Sequence, residues 1–144
     1  MYKHILIATD GSDLAGKAVA TGLALAKQLG AKATAVTATE PWTAMMMGEP
    51  AISFPIAEYE EAATQSAARI LGGVTEAAKK AGVACETVHA MNFPADAIID
   101  TAKAKGCDLI VMASHGRRGI ARALLGSQAV NVLTHSTLPV LICR

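Results

Sequence analysis

Aromatic side chains are scarce in this sequence, making up 3 % of its 144 residues. A core without them has to be aliphatic and closely packed, and alanine supplies much of the apolar content. Charge is also sparse, at 17 % of residues, and nearly balanced, with a formal net charge of +1. That balance argues against a general nucleic-acid or membrane-surface binder, while leaving room for a local basic patch. Cysteine occurs only at Cys85, Cys107 and Cys143, far apart, with no CxxC and no Cys/His pair at zinc spacing. Cys107 and Cys143 fall in apolar runs and read as small buried thiols. No apolar run is long enough to span a bilayer. The chain opens into KHILIATDGS without a signal-peptide pattern, so the expected location is cytoplasmic. Three signatures of common α/β enzymes are missing as well. G-x4-G-K-S/T is absent, no G-x-G-x-x-G follows the first strand, and there is no G-x-S-x-G elbow. A phospho-receiver is also disfavoured: the third strand ends in HAMN without an acceptor aspartate, and the last strand ends the chain.

What is present is a regular alternation. The length suits one domain, residues 1–144. KHILIA (3–8) reads as a buried strand that ends in a TDGSD turn. Leu14, Ala18, Gly22, Leu25 and Leu29 recur at helical spacing over 13–29, and Gly30 closes that helix. A strand of small and β-branched residues covers 32–38. The segment 40–56 carries three prolines and no period and reads as a long loop. A helix over 57–81 carries Ala63, Ala67, Ile70, Leu71, Val74 and Ala78 on one side, weakened in its middle by Gly72 and Gly73. A third strand spans 83–90. Pro94 opens a helix that buries Ala95, Ile98, Ile99 and Ala102 and stops at Gly106. A fourth strand covers 107–113, Ser127 starts a helix with Ala129, Val130, Val132 and Leu133, and the last strand runs over 139–143. Five strands alternating with four helices predict an α/β fold with a parallel sheet covered on both faces. Ligands in such sheets bind beyond the carboxyl ends of the strands, where the winding reverses. The first and fourth strands are expected to be neighbours there, so that Asp10 and the segment 113–128 face one crevice.

That segment, ASHGRRGIARALLGSQ, combines glycine with positive charge. Glycine lets a ligand approach the main-chain amide and can adopt positive φ. Gly126 and Ser127 stand at a helix start, where amides and the helix dipole favour a phosphate. Arg117, Arg118 and Arg122 add guanidinium groups suited to phosphate. The other reading is structural: glycines as loop punctuation, Ser127 as an N-cap and the arginines as a solvated face. Asp10 has two kinds of role open: turn-maker or helix cap, shared with Ser12 and Asp13, or acceptor of ribose hydroxyls. His115 reads as a loop-ordering residue or phosphate neighbour, since the sequence supplies neither an orienting partner nor a nucleophile. His4, His89 and His135 are scattered and read as structural. Glu58, Glu60 and Glu61 support the start of the long helix. Trp42, Met45, Met46, Met47 and Phe54 form an apolar cluster in the long loop that suits an adenine cover, an interface or a mobile segment.

TDGS (9–12) together with DLIVMASHGRRGIARALLGSQAVNVLTHSTLPVLICR (108–144) resembles the universal stress protein family, and the likeness runs along essentially the whole chain. The family's nucleotide motif is G-x2-G-x9-G-S/T. Here Gly116 is its second glycine and Gly126–Ser127 its end, with nine residues between, while Ala113 replaces the first glycine. The resemblance implies a cytosolic homodimer of Rossmann-like fold with sheet order 3-2-1-4-5 that binds ATP or AMP. It implies ribose or adenine contacts from Asp10, a main-chain bond from Ala38 to adenine, and Met112 and Ala113 along the ribose. Gly116, Gly126, Ser127 and Gln128 would hold the phosphates, with Arg117 beside them. A bound triphosphate would carry Mg²⁺. The methyl group of Ala113 weakens this expectation, which leaves a nucleotide-independent interaction module of the same fold as the alternative. Pairing between subunits is expected through residues 138–143. With no general base, Walker lysine or metal carboxylate pair in view, hydrolysis is expected to be slow at most.

Overall fold

The computed structural model describes residues 1–42, 56–116 and 124–144. In chain order they form β1 (His4–Ala8), α1 (Asp13–Leu29), β2 (Lys32–Thr39), α2 (Ile56–Ala81), β3 (Cys85–Met91), α3 (Pro94–Lys105), β4 (Leu109–Ala113), α4 (Ser127–His135) and β5 (Val140–Cys143). The strands make one sheet in the order β3-β2-β1-β4-β5, and every pairing is parallel. β1 lies at the centre, with Ile7 opposite Ala35 on one side and Val111 on the other. The architecture is thus a Rossmann-like α/β sandwich with five parallel strands and four helices among the described residues.

The period of two along each strand divides the core into two layers. Ile5, Ile7, Ala33, Ala35 and Val111 face Ala18, Leu23, Leu71, Val74 and Ala78 of α1 and α2. Leu6, Ala8, Val36, Ile110 and Met112 face Ala95, Ile98, Ala102, Ala129 and Val132 of α3 and α4. β1 and β4 are buried along their whole length. The edge strands β3 and β5 are half-exposed.

Several boundaries differ from the sequence expectation, for a local reason. Gly106 ends α3 at φ 69, its amide bonding to the Lys103 carbonyl while the Cys107 amide returns to Ala102. This left-handed cap keeps Cys107 in the turn, so β4 begins at Leu109 and not at 107. The Val83 amide returns to Ala78 in the same way, and β3 begins at Cys85.

The buried face of α1 also departs from expectation. It is formed by Ala15, Ala18, Val19, Gly22, Leu23 and Ala26, whereas Leu29 is 41 % exposed. The helix lies so close to the sheet that a Cβ on Gly22 would sit 2.7 Å from Ile7 Cγ1. Small residues, with Val19 and Leu23, face the strands, and Leu14, Leu25 and Leu29 lie toward the margin. On α4, Ala129 and Val132 are buried, but Val130 and Leu133 point outward at 45 % and 43 % exposure. Gly72 and Gly73 sit on the exposed side of α2, which continues through them unbroken.

Candidate functional site

The turn after β1 is held by its own side chains. The Thr9 amide bonds to the Val36 carbonyl at 3.0 Å, and Thr9 Oγ1 accepts the Gly11 amide at 3.1 Å. Asp10 Oδ1 accepts the Ser12 amide at 2.9 Å, and Ser12 Oγ caps α1 by accepting the Ala15 amide at 3.2 Å. Asp10 therefore does shape the turn, while the capping belongs to Ser12. Its other carboxylate oxygen points at the opposite wall: a Cβ on Gly116 would lie 2.8 Å from Asp10 Oδ2. Glycine at 116 keeps that approach open.

That opposite wall hangs on Ser114, just past β4. Its amide donates to the Cys143 carbonyl at 2.7 Å, and its own carbonyl accepts the Gly126 amide at 2.7 Å. Two expectations are corrected here. Ser127 is not the N-cap of α4; Gly126 is, at φ −73, and no side chain caps the helix. The Gly126 amide is engaged by Ser114 and so is not a bare donor. Neither Gly116 nor Gly126 has positive φ. What glycine supplies at 126 is space, because a Cβ there would fall 3.1 Å from the Ser114 carbonyl oxygen and 3.3 Å from His115 Cα. The donors left at the mouth are the amides of Ser127, Gln128 and Ala129, which a helix start leaves without intrahelical acceptors.

Between these walls lies a cavity of about 590 Å³ at the carboxyl ends of β1, β2 and β4, within the range of roughly 300–1,000 Å³ common for small-molecule sites. Asp10, Ala38, Met112 and Ala113 line it, as do Gly116, Gly126, Ser127 and Gln128. Arg117 lies outside the described residues, as do Arg118, Arg122, Met45 to Met47 and Phe54. Sequence reasoning missed Thr9, Val36, Glu40, Pro94, Ile98 and Leu125 on the same walls. Ile98 carried a signal only for core, and 6 % exposure agrees with that; the sheet order is what brings the start of α3 over the cavity. Glu40 is held by its carbonyl, which accepts the Tyr59 hydroxyl at 2.8 Å, and the Tyr59 ring lies 4.8 Å from that of Trp42. A smaller cavity of about 290 Å³ adjoins, sharing Asp10 and Ala38 and bounded by Thr37, Thr39, Ser66 and Ile70.

The remaining polar candidates sort by their partners. His4 Nε2 meets Thr34 Oγ1 at 2.7 Å, His89 Nε2 meets Thr39 Oγ1 at 2.8 Å, and His135 Nδ1 meets the Asn131 carbonyl at 2.9 Å. These are structural histidines. His115, on the cavity wall, has Nδ1 3.1 Å from Ser114 Oγ, the orienting partner that the sequence did not reveal. Its Nε2 is buried without a partner. Among the described residues no cluster of three or more His, Cys, Asp or Glu side chains is placed to hold a metal ion. No described helix is long and apolar enough to cross a membrane. Burial pushes the Cys107 thiol up to about 11, which leaves it protonated and inert near neutral pH.

A family model described as the universal stress protein family matches residues 1–144. The universal stress protein YxiE of Bacillus subtilis is 34 % identical over 151 aligned residues, covering 100 % of both chains. The solved structure of MJ0577, a universal stress protein of Methanocaldococcus jannaschii, superposes with a TM-score of 0.85 at 25 % identity, covering 99 % of this chain and 96 % of that one. A universal stress protein crystallised in complex with cAMP superposes with a TM-score of 0.71 at 28 % identity, covering 99 % of this chain and 97 % of that one. With the motif, the sheet order and these likenesses in agreement over its whole length, the chain belongs to the universal stress protein family.

Proposed function

We propose that this chain is a regulatory stress-response protein that binds an adenine nucleotide, ATP or AMP, in the cavity at the carboxyl ends of β1, β2 and β4. The observation that carries the reading is one space with a carboxylate on one wall and an uncapped helix start on the other. A carboxylate suits vicinal ribose hydroxyls, and helix-start amides suit phosphate. The relative solved in complex with cAMP supports an adenine nucleotide as the ligand class. In this reading Asp10 accepts from the ribose, the Ala38 main chain meets adenine, and Met112 and Ala113 flank the sugar. The amides of Ser127 and Gln128 hold phosphate, while glycine at 116 and 126 lets Asp10 and the Ser114–His115 turn approach closely without a side chain between them. Any Mg²⁺ would arrive on a triphosphate and be held chiefly by it.

Calorimetric titration of ATP and AMP into the wild type, Gly116→Val and Gly126→Asp tests the reading. Measurable binding by the wild type and a loss of at least about tenfold in both variants is expected, since each new side chain enters the cavity wall and the carboxylate of the second adds a negative charge there. Equal affinities in all three proteins would remove both glycines from the site. Absence of binding in the wild type would leave the nucleotide-independent module.

Self-association through residues 138–143 belongs to both readings. It is supported by the edge position of β5 and by the exposed Leu141, Val130 and Leu133. Sedimentation of the wild type as a dimer and of Leu141→Lys as a monomer is the expected result; a wild-type monomer at micromolar concentration counts against it.

A further inference from the structure

Buried side-chain nitrogen and oxygen atoms of the described residues all have hydrogen-bond partners except one, His115 Nε2. Buried polar groups are rarely left so, and one on the wall of a ligand-sized cavity indicates a partner supplied from outside the chain. On the adenine-nucleotide reading above, we propose that His115 is a ligand-binding residue: Ser114 holds its proton on Nε2, and that N–H donates to an anionic phosphate oxygen at the start of α4.

The tautomer follows from counting hydrogens. Ser114 is 3 % exposed, and among the described residues its hydroxyl has only His115 Nδ1, at 3.1 Å, as a partner. If the hydroxyl donates to Nδ1, the imidazole proton sits on Nε2 and one donor remains unmatched. If Nδ1 donates to the hydroxyl oxygen, two groups go unmatched, the hydroxyl hydrogen and the Nε2 lone pair. The first arrangement leaves fewer groups unsatisfied. It makes Nε2 a donor, which calls for an acceptor on the ligand.

The place of that donor follows from the packing of the ring. A Cβ on Gly126 would lie 3.5 Å from His115 Cδ2, the carbon bonded to Nε2. This edge of the imidazole therefore sits beside the N-cap of α4, where the amides of Ser127, Gln128 and Ala129 emerge. His115 and the residues that carry those three amides all line the cavity. An acceptor that meets several donors in one place is best an anionic oxygen. The proposal sharpens the ligand class: a phosphorylated nucleoside is favoured over the nucleoside itself, and part of that preference passes through His115.

The experiment combines long-range ¹H–¹⁵N correlation spectra of the wild-type imidazoles with titrations of AMP, adenosine and pyrophosphate. The free wild type is expected to carry its His115 proton on Nε2, and saturating AMP or pyrophosphate is expected to move that signal. His115→Phe is expected to bind AMP about tenfold more weakly, the range for loss of a hydrogen bond to a charged group, with adenosine affinity unchanged. Ser114→Ala, which removes only the orienting hydroxyl, is expected to give mixed tautomers and a smaller loss for AMP. A proton on Nδ1, an Nε2 signal unmoved by either anion, or equal losses for AMP and adenosine would overturn the proposal. Unchanged AMP affinity in His115→Phe would do so too, while leaving the nucleotide reading standing. Should the wild type bind no adenine nucleotide, that reading falls and pyrophosphate decides: movement of Nε2 supports the role of His115, and no movement removes it. If His115→Phe does not fold, the wild-type spectra decide by the same criteria.

Discussion

The two ends of the same strands are finished in opposite ways. At the amino end Asp108 accepts the amides of Lys3 at 2.8 Å and His4 at 3.1 Å. There His4 Nε2 meets Thr34 at 2.7 Å, and Lys105 reaches Glu86 at 2.6 Å. Burial works against the Asp108 carboxylate, yet the amides of Lys3 and His4 outweigh it and hold its pKa below the usual value. At the carboxyl end the walls stand apart around about 590 Å³, the helix start has no side-chain cap, and a buried imidazole nitrogen lacks a partner. The contrast teaches where to look for function in a sheet of this kind. An end whose polar groups satisfy one another adds stability; an end that leaves donors around a space is prepared for a ligand.

Substitutions should separate the two ends, and a change in the frame they share should affect both. Ile7→Ala removes a fully buried side chain from the central strand and is expected to lower unfolding stability by about 2–5 kcal/mol. Urea denaturation measures it, and a smaller loss would mean that α1 closes over the gap beside Gly22. Thr34→Val acts at the amino end, leaving buried His4 without its partner. A loss of about 1–3 kcal/mol is expected, with AMP affinity unchanged; a parallel loss of affinity would break the division between the ends.

The double variant Ser114→Ala/His115→Phe acts at the carboxyl end. It replaces a polar pair, one member of which is unsatisfied, by apolar groups of similar shape. Its stability should stay within about 1 kcal/mol of wild type, even as AMP binding weakens. A cost matching that of Thr34→Val would make His115 a structural residue. The smallest effect belongs to pH. Burial, with Lys32 nearby, lowers the His4 pKa from 6.5, so the unfolded chain takes up this proton before the folded one. Stability should therefore fall as pH drops below about 6.5, and the fall should be shallower in His4→Gln. Identical pH profiles for the two proteins would show that His4 is not the group responsible.

Much of this fold was readable from residue order. The α1 boundaries, 13–29, coincide with those observed, because Ser12 and Gly30 end the helix by local capping. Ala95, Ile98, Ile99 and Ala102 are buried as their spacing required. Leu29, Val130 and Leu133 share the helical spacing of buried residues yet are exposed, because helical period tells which residues share a side but not how near that side comes to the sheet. At the candidate site, Asp10, Gly116, Gly126 and Ser127 were visible through turn chemistry and motif spacing. Pro94, Ile98 and Glu40 were not, since they enter the cavity from elements distant in sequence.

The sequence by itself determined the alternation of strand and helix and the likeness to a family of known fold, because capping, periodicity and motif spacing act over a few residues. It also determined which glycines stand near the cavity. Only the tertiary structure decided why they are there. At 116 and 126 the decisive property is room beside Asp10, Ser114 and His115 and not positive φ. The tertiary structure also decided that the Gly126 amide belongs to Ser114 and that His115 Nε2 has no partner. Hydrogen bonds and close approaches between β4, its following turn and α4 depend on how the last strand docks against β4, and no short-range pattern encodes that distance.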